Sequence, residues 1–273
     1  MREQQVAVIH ELKCFGTQAG EGNPALVVLE GTQDIAERQA FAAQSGVSAC
    51  VFVDRGDEQA AYVLDYFYPH ARSPLCLHAT LAAARVLLEE RTQPLTVRTA
   101  MRGQLLELSQ AGDDVFISLR RQPAPSPELS PGLAQQLLND ETLELASAPV
   151  VASVGSPKLL LEVRDSATLL GLRPDLARIT QWGKEYGVNG CYVWCRRPDG
   201  HLEGRNFNHL DPAAEDSATG VAAGALTAHL QSALLIYQGS HLGQPCMIRT
   251  RLVHDTIQIG GAAEFSHHNR TYP

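Results

Sequence analysis

The sequence predicts an α+β fold of two similar lobes, each with a mainly antiparallel sheet around one central helix. Two stretches rich in small and apolar residues predict the central helices, at about 78–90 and 222–235. Segments around these helices match in the same order in both halves, as Gly22-Asn23-Pro24-Ala25 matches Gly155-Ser156-Pro157-Lys158. Such collinear matches indicate an internal duplication. The chain has 273 residues, which is enough for two lobes.

A proline-rich stretch marks the predicted boundary between the lobes. Residues 122–131 include four prolines, and we interpret them as a linker. The N-terminal lobe then covers residues 1–121 and the C-terminal lobe residues 132–273, with the last strand or the tail free to return to the first lobe.

Alternating and apolar segments between turn residues predict the strands. In the first lobe they lie at 6–15, 25–29, 48–54, 61–68, 96–99, 104–109 and 115–119, and in the second at 150–154, 159–163, 191–195, 202–207, 247–252 and 256–259. Further helices are predicted from a cap at Thr32 or Asp34 to Ser45, at 132–139, and at 174–186, which opens with Pro174.

Composition excludes several classes of function. The net charge of −8 and the lack of clustered Lys and Arg argue against nucleic acid as a partner. The N-terminus shows no apolar signal region, and no apolar run is long enough to span a membrane, so we expect a cytoplasmic protein. The six cysteines are scattered and are expected to be reduced, and no His and Cys spacing predicts a metal site.

The stretch from Glu215 to Gly224 is the strongest candidate for a binding site. Asp216 or Ser217 is predicted to cap the helix that follows, because a short side-chain oxygen accepts from free N–H groups of the first turn. Such a helix start suits an anionic ligand. If the lobes pack face to face, the helix starts near His78 and Thr219 meet in a cleft, where ligands usually bind.

The order of several short motifs resembles the phenazine biosynthesis protein PhzF family. The motifs are Gly22-Asn23-Pro24-Ala25, Ser48-Ala49-Cys50-Val51-Phe52, Phe67-Tyr68-Pro69, Leu75-Cys76-Leu77-His78-Ala79-Thr80 and Glu215-Asp216-Ser217-Ala218-Thr219-Gly220. This resemblance covers nearly the whole chain and implies the diaminopimelate epimerase-like fold and a homodimer. It also implies isomerisation by proton transfer without a cofactor, as in the family member that acts on a dihydro-hydroxyanthranilate.

The chain departs from the family pattern at four positions. Ala49 stands where the family has the Glu that serves as general acid and base, and Leu77 replaces the Gly before the histidine. Arg72 replaces an acidic residue, and Val221 replaces the Ser after Thr-Gly. The resemblance therefore predicts a changed site, and an acidic residue outside the motifs, such as Asp65 or Glu215, is a candidate to replace the missing Glu.

His78 and Asp216 are the predicted catalytic residues, with His78 as the base and Asp216 as its partner. The residues assigned to substrate binding are Asn23, Ser48, Arg72, Cys76, Ser217, Thr219 and Gly220. A structural alternative stays open for each: His78 as a packed helix residue, Cys76 as a core thiol instead of a partner of Ser217, and Arg72 as a solvated loop residue instead of a carboxylate clamp. We assign His70 and the His267-His268 pair to the surface and the tail.

Two classes of function remain. The first is a cofactor-independent isomerase or epimerase acting on a small carboxylate, or a proton-abstraction lyase at the same site. The second is a catalytically inactive protein that binds a small acid or another protein, because Ala49 cannot take a proton. The sequence favours the enzyme, since His78, Asp216 and the Thr219-Gly220 helix start are all retained.

Overall fold

The structure is a computed structural model that describes residues 7–208 and 215–266, and these form two compact units. Unit 1 contains the described residues up to Leu119 and those from Gly260 onward, and unit 2 contains Arg120–Ile259. The predicted linker, 122–131, therefore lies inside unit 2. Its first residue already bonds there, since the amide of Gln122 donates to the carbonyl oxygen of Ser153.

Seventeen strands and six α-helices are formed by the described residues. Up to the unit boundary they are β1 Val8–Cys14, β2 Asn23–Leu29, α1 Ile35–Gln44, β3 Ala49–Arg55, β4 Tyr62–Phe67, β5 Arg72–Ser73, α2 Leu77–Leu87, β6 Leu95–Thr99, β7 Leu105–Ala111 and β8 Asp114–Arg120. They continue with α3 Leu133–Leu138, β9 Val150–Ala152, β10 Lys158–Glu162, α4 Ser166–Gly171, α5 Leu176–Tyr186, β11 Cys191–Arg196, β12 Leu202–Phe207, β13 Glu215–Asp216, α6 Gly220–Leu230, β14 Leu235–Gln238, β15 Cys246–Val253, β16 Thr256–Gly261 and β17 Ala263–Phe265.

Unit 1 is a mainly antiparallel sheet around helix α2. Strand β1 pairs with β2 and β17, β3 with β4, β4 with β5, β6 with β7, and β7 with β8, all antiparallel. Two pairs are parallel, β2 with β3 and β4 with β6. Helix α2 packs on β1, β2, β3 and β17, and its first eight residues are all buried. Alanines at 82–84 allow this close packing on several sides.

Unit 2 repeats this connectivity around helix α6. The antiparallel pairs are β9 with β10, β11 with β12, β12 with β13, and β14 with β15. The parallel pairs are β10 with β11 and β12 with β14, which correspond to the two parallel pairs of unit 1. Each helix follows the same strand of its sheet, so the predicted fold of two similar lobes with central helices is confirmed.

The predicted end of the second central helix is wrong. Helix α6 ends at Leu230, because Gln231 takes a left-handed conformation with φ of 53° and closes the last turn. The apolar residues beyond it form strand β14, which the sequence analysis missed. Strand β14 is the counterpart of β6, since β14 pairs parallel with β12 as β6 does with β4.

Two helix starts also differ from the prediction. The N-terminal capping positions are Cys76 for α2 and Thr219 for α6, so these two residues correspond, and the predicted caps Asp216 and Ser217 lie before the helix. Helix α5 begins after Asp175, whose side chain accepts from the amide of Arg178, so Pro174 precedes the helix and does not open it.

Candidate active site

A chain of polar contacts begins at the start of helix α2 and passes through His78. Nδ1 of His78 lies 3.3 Å from the sulfur of Cys76, and Nε2 lies 3.2 Å from Oγ of Ser48. His78 is the second residue of α2 and is only 3% exposed. Both ring nitrogens are therefore held by side chains inside unit 1.

Ser48 connects this histidine to the first two residues of strand β2. Its Oγ is 2.6 Å from Oδ1 of Asn23 and 2.6 Å from the carbonyl oxygen of Pro24. A serine hydroxyl has one proton to donate, and both of these oxygens are acceptors, so Ser48 accepts the contact with His78. In the neutral imidazole Nε2 then carries the proton, and the sulfur of Cys76 lies against the ring, 3.3 Å from Nδ1 and 3.9 Å from Nε2.

The structure thus brings together four of the predicted residues, Asn23, Ser48, Cys76 and His78. The arrangement has the form of an ionisable group, a base beside it, and a third group that orients the base. Behind it, the hydroxyl of Tyr66 bonds Oγ1 of Thr80, which donates to the carbonyl oxygen of Cys76.

The position of the missing Glu lies beside this group. Ala49 begins strand β3, directly after Ser48, and is buried. The neighbouring thiol of Cys50 is buried as well, and burial raises its pKa to about 11. Leu77, the first residue of α2, is buried and occupies the place of the family's Gly.

Arg72, which was predicted to clamp a substrate carboxylate, is paired inside unit 1. Its Nε and Nη2 donate to the two carboxylate oxygens of Asp65 at 2.8 and 3.1 Å. Asp65 also accepts from Nη1 of Arg38 at 3.0 Å, and Arg38 bonds Asp54 as well. Arg72 is therefore not a solvated loop residue, and Asp65 is already neutralised by two guanidinium groups.

The same pair occurs in unit 2 with its charges exchanged. Arg205 donates to both carboxylate oxygens of Glu215, at 2.8 and 2.7 Å. Phe67 pairs with Arg72 in β4 and β5, as Phe207 pairs with Glu215 in β12 and β13. The replacement of the family's acidic residue by Arg72 is thus matched by a carboxylate, Asp65, on the adjacent strand.

Asp216 is held at the start of helix α6 by main-chain and side-chain bonds. Its Oδ2 accepts from the hydroxyl of Thr219 at 2.7 Å, and its carbonyl oxygen accepts from Nε2 of Gln238 at 2.6 Å. The amide oxygen of Gln238 in turn accepts from the hydroxyl of Tyr192. The predicted capping of α6 by Asp216 or Ser217 is wrong, because Asp216 lies in strand β13 and Thr219 takes the capping position.

The other predicted residues of unit 2 line the same helix start. Ser217 and Gly220 are buried there, and Val221, the second residue of α6, is buried too. Val221 occupies the position that His78 has in α2, so the histidine has no ionisable counterpart in unit 2. Whether Ser217 acts with Cys76 stays a prediction.

The sequence analysis missed one ionisable residue of unit 2, Lys158. It begins strand β10 and is 2% exposed, and its Nζ donates to the carbonyl oxygen of Asn189. Burial lowers its pKa to about 8, an effect that the charges of Asp216 and Cys191 partly oppose. The signal was present in the repeat, where Lys158 matches the apolar Ala25.

Within the described ranges, no three His, Cys, Asp or Glu side chains are grouped as they would be around a metal ion. The His267-His268 pair lies outside these ranges, so the absence of a metal stays a prediction. The described part of the chain also contains no helix with the length and apolar character needed to cross a membrane. All six cysteines lie in the described ranges, where they are buried thiols outside any disulfide.

Comparison with known proteins gives consistent matches over most of the chain. The family model described as phenazine biosynthesis-like protein matches residues 12–268. An uncharacterized isomerase of Deinococcus radiodurans is 31% identical, over 93% of this chain and 91% of that protein. The uncharacterized isomerase YddE of Escherichia coli K12 is 28% identical, over 81% of this chain and 78% of the relative.

Among solved structures, one described as a predicted epimerase of Pseudomonas aeruginosa has a TM-score of 0.79. The match covers 94% of this chain and 96% of the other at 23% identity. At this identity the likeness concerns the fold, and the predicted epimerase-like fold is confirmed.

Proposed function

The chain belongs to the family of phenazine biosynthesis-like proteins, and from this premise we propose that it is an isomerase that shifts a proton on a small carboxylate without a cofactor. The family membership inferred from the motifs is confirmed. The names of the relatives in Deinococcus radiodurans and Escherichia coli support the reaction type. The cytoplasmic location and the homodimer stay predictions.

The observation that carries the proposal is the pair formed by Cys76 and His78. Moving a proton from carbon requires a base whose protonated form is stabilised and held in one orientation. The ring of His78 meets these needs, since Nδ1 faces the sulfur of Cys76 and Nε2 is bonded to Ser48. A proton that arrives at Nδ1 leaves the contact between Nε2 and Ser48 intact.

We assign the roles in unit 1 accordingly. His78 holds the proton, Cys76 exchanges it with Nδ1 and faces the substrate side of the pair, and Ser48 fixes the ring with help from Asn23. Such acid–base help is worth about 10²–10⁴-fold in rate. In unit 2, Asp216 is the second proposed catalytic group; the hydroxyl of Thr219 holds one oxygen of its carboxylate, and Gln238 holds its main-chain carbonyl oxygen.

The substrate class follows from the groups available. A hydrogen next to a carboxylate is acidic enough for an imidazole or a thiolate to remove when the resulting negative charge is stabilised. The start of α6 supplies N–H groups and the positive end of the helix dipole, which suit a carboxylate. Small amino, hydroxy and cyclic unsaturated acids are therefore the compounds to test.

Hydrogen exchange with solvent tests this proposal without a known product. The purified protein is incubated in deuterated water with a panel of these acids, and proton NMR reports any carbon-bound hydrogen that is lost. We expect exchange at one carbon next to a carboxylate, and we expect it to fall at least about 100-fold in His78→Asn. The control is His229→Asn, at an exposed histidine in the last turn of α6, which should exchange like the unmodified protein.

Three other results of this experiment would each lead to a different conclusion. Exchange that survives His78→Asn contradicts the role of the histidine. New signals from a smaller product together with a released group indicate a proton-abstraction lyase. A panel member that raises the unfolding temperature but never exchanges would show that the chain is a binding protein, as expected if the loss of the Glu at Ala49 removed the activity.

A further inference from the structure

The loss of the Glu at Ala49 leaves the enzyme short of one proton-transfer group, and the two acids suggested by the sequence do not supply it. Asp65 accepts from Arg38 and Arg72, so its charge is neutralised on two sides. Glu215 is bonded through both oxygens to Arg205. The oxygens of both carboxylates are therefore already occupied by guanidinium groups.

The two repeated units differ in charge at one position near the start of a strand. In unit 1, Ser48, which precedes β3, bonds Asn23 at the start of the neighbouring strand β2. In unit 2, Asn189, which lies just before β11, bonds Ser156, which lies just before β10. The serine and the asparagine have exchanged places: the serine donates to the amide oxygen in unit 1, and the amide nitrogen donates to the serine in unit 2. Two residues after Asn23 in β2 is Ala25, and the corresponding residue two positions after Ser156 is Lys158, which begins β10.

Unit 1 shows that the fold does not require a lysine at this position of the strand. Ala25 is completely buried there and continues the strand without a charge. Placing a lysine in the same setting is costly, because burial penalises an ammonium group. Only three of the 22 basic residues are lysines, and one of these three is 2% exposed. The fold alone does not account for Lys158.

The surroundings of Lys158 suit a group that gains and loses a proton. Nζ donates to the carbonyl oxygen of Asn189, which uses one of the three N–H bonds of an ammonium. Two ionisable groups interact with it, Asp216 and Cys191. With a pKa of about 8, roughly a tenth of the side chain is a neutral amine at pH 7. An arginine at this position would stay charged.

We propose that Lys158 is the proton-transfer group that compensates for the missing Glu, acting beside Asp216 in unit 2. This inference rests on the proposed function. The lone pair of Nζ takes the proton from the carbon next to the carboxylate, and the electrons of the broken C–H bond spread into the carboxylate and the adjoining unsaturation. The ammonium returns a proton to another carbon of this anion, so nothing is oxidised or reduced and the amine is regenerated.

The first measurement concerns the lysine itself and needs no substrate. Protein labelled with ¹³C at the ε carbon of lysine gives three signals, because the chain has three lysines. Lys158→Arg identifies the signal of Lys158 by its loss. We expect this signal to titrate near pH 8, as burial lowers its pKa to about 8. A midpoint for Lys158 at the ordinary value would overturn the inference.

The second measurement follows exchange of the panel compound in deuterated water. Lys158→Arg keeps the positive charge but cannot release a proton, and Lys158→Met keeps the length of the side chain without a charge. We expect exchange to fall at least about 100-fold in both. Lys184→Arg, at an exposed lysine of α5, is the matched control and should exchange normally. Circular dichroism confirms that each variant is folded.

The outcomes separate this inference from the proposed function. Normal exchange in folded Lys158→Arg or Lys158→Met removes the lysine from the reaction and leaves the isomerase proposal standing. No exchange by the unmodified protein overturns both, whatever the titration of Lys158 shows. If neither variant folds, the pH profile of the unmodified protein decides: a rate that rises with the same midpoint as the Lys158 signal supports the role, and a flat rate across that pH range overturns it.

Discussion

Replacing Asp65 by asparagine separates a structural role of this carboxylate from a catalytic one. Asp65 is buried and bonds Arg38 and Arg72 within unit 1. Removing one partner of a buried ion pair costs about 3–5 kcal/mol, because a charge is left without compensation. Here Arg38 keeps its bond to Asp54, and the side chain of Arg72 is 28% exposed and regains water. We therefore expect a loss of about 3 kcal/mol in the free energy of unfolding, the lower end of that range.

Thermal unfolding measures this loss. At about 2–4 °C per kcal/mol for a chain of this size, the unfolding temperature should fall by roughly 6–12 °C. The control is Asp57→Asn, which makes the same chemical change in the exposed pair of Asp57 with Arg98 and should lower the unfolding temperature far less.

Two results would refute the structural role of Asp65. One is an unfolding temperature that changes no more in Asp65→Asn than in Asp57→Asn. The other is complete loss of hydrogen exchange in Asp65→Asn while its unfolding temperature stays unchanged, which would identify Asp65 as the replacement for the missing Glu. We expect the folded variant to retain exchange.

Three further predictions concern stability. Leu77→Ala should cost about 2–5 kcal/mol because Leu77 is buried, whereas Leu105→Ala, at an exposed leucine, should cost far less; equal losses in urea unfolding would contradict the packing role. Asp34→Ala removes the acceptor for the amides of Ala36 and Glu37 at the start of α1, so it should cost about 0.5–2 kcal/mol, and Asp34→Asn should restore most of this. Lys158 has a pKa of about 8 in the folded chain and its ordinary, higher value in the unfolded one, so the unfolded chain binds more protons between these values. The free energy of unfolding should therefore rise with pH across that window by up to about 3 kcal/mol relative to Lys158→Met, and a difference that is constant from about pH 7 to pH 10 would be evidence against it.

The sequence predicted the fold well because its signals are local or repeated. Alternating segments located most strands, and Asp34 was one of the two residues named as the cap of α1. The two central helices followed from long runs of small and apolar residues. Strand β14 was missed because its apolar residues follow α6 with no glycine or proline between, and the helix stops at Gln231 through a left-handed conformation that side-chain pattern does not reveal.

The candidate site was only partly predictable. Motif spacing named Asn23, Ser48, Cys76 and His78, which the fold brings into one chain of contacts. The partner of Arg72 could not be named, because Asp65 reaches it from the adjacent strand through sheet register. Lys158 was missed because a charged residue at a strand start is usually at the surface, and burial is a property of the packed unit.

The differences between the two units are more informative about function than the features they share. The ion pair at Arg72 and Arg205, the contact between serine and asparagine, and the helix starts are repeated, so the fold explains them. His78 and Lys158 are not repeated, since the corresponding residues are Val221 and Ala25. A fold that is built equally well with valine or alanine at these positions does not require an imidazole or a buried amine there. The proposed reaction gives each of them a role, His78 as the proton-holding group in unit 1 and Lys158 as the group beside Asp216 in unit 2.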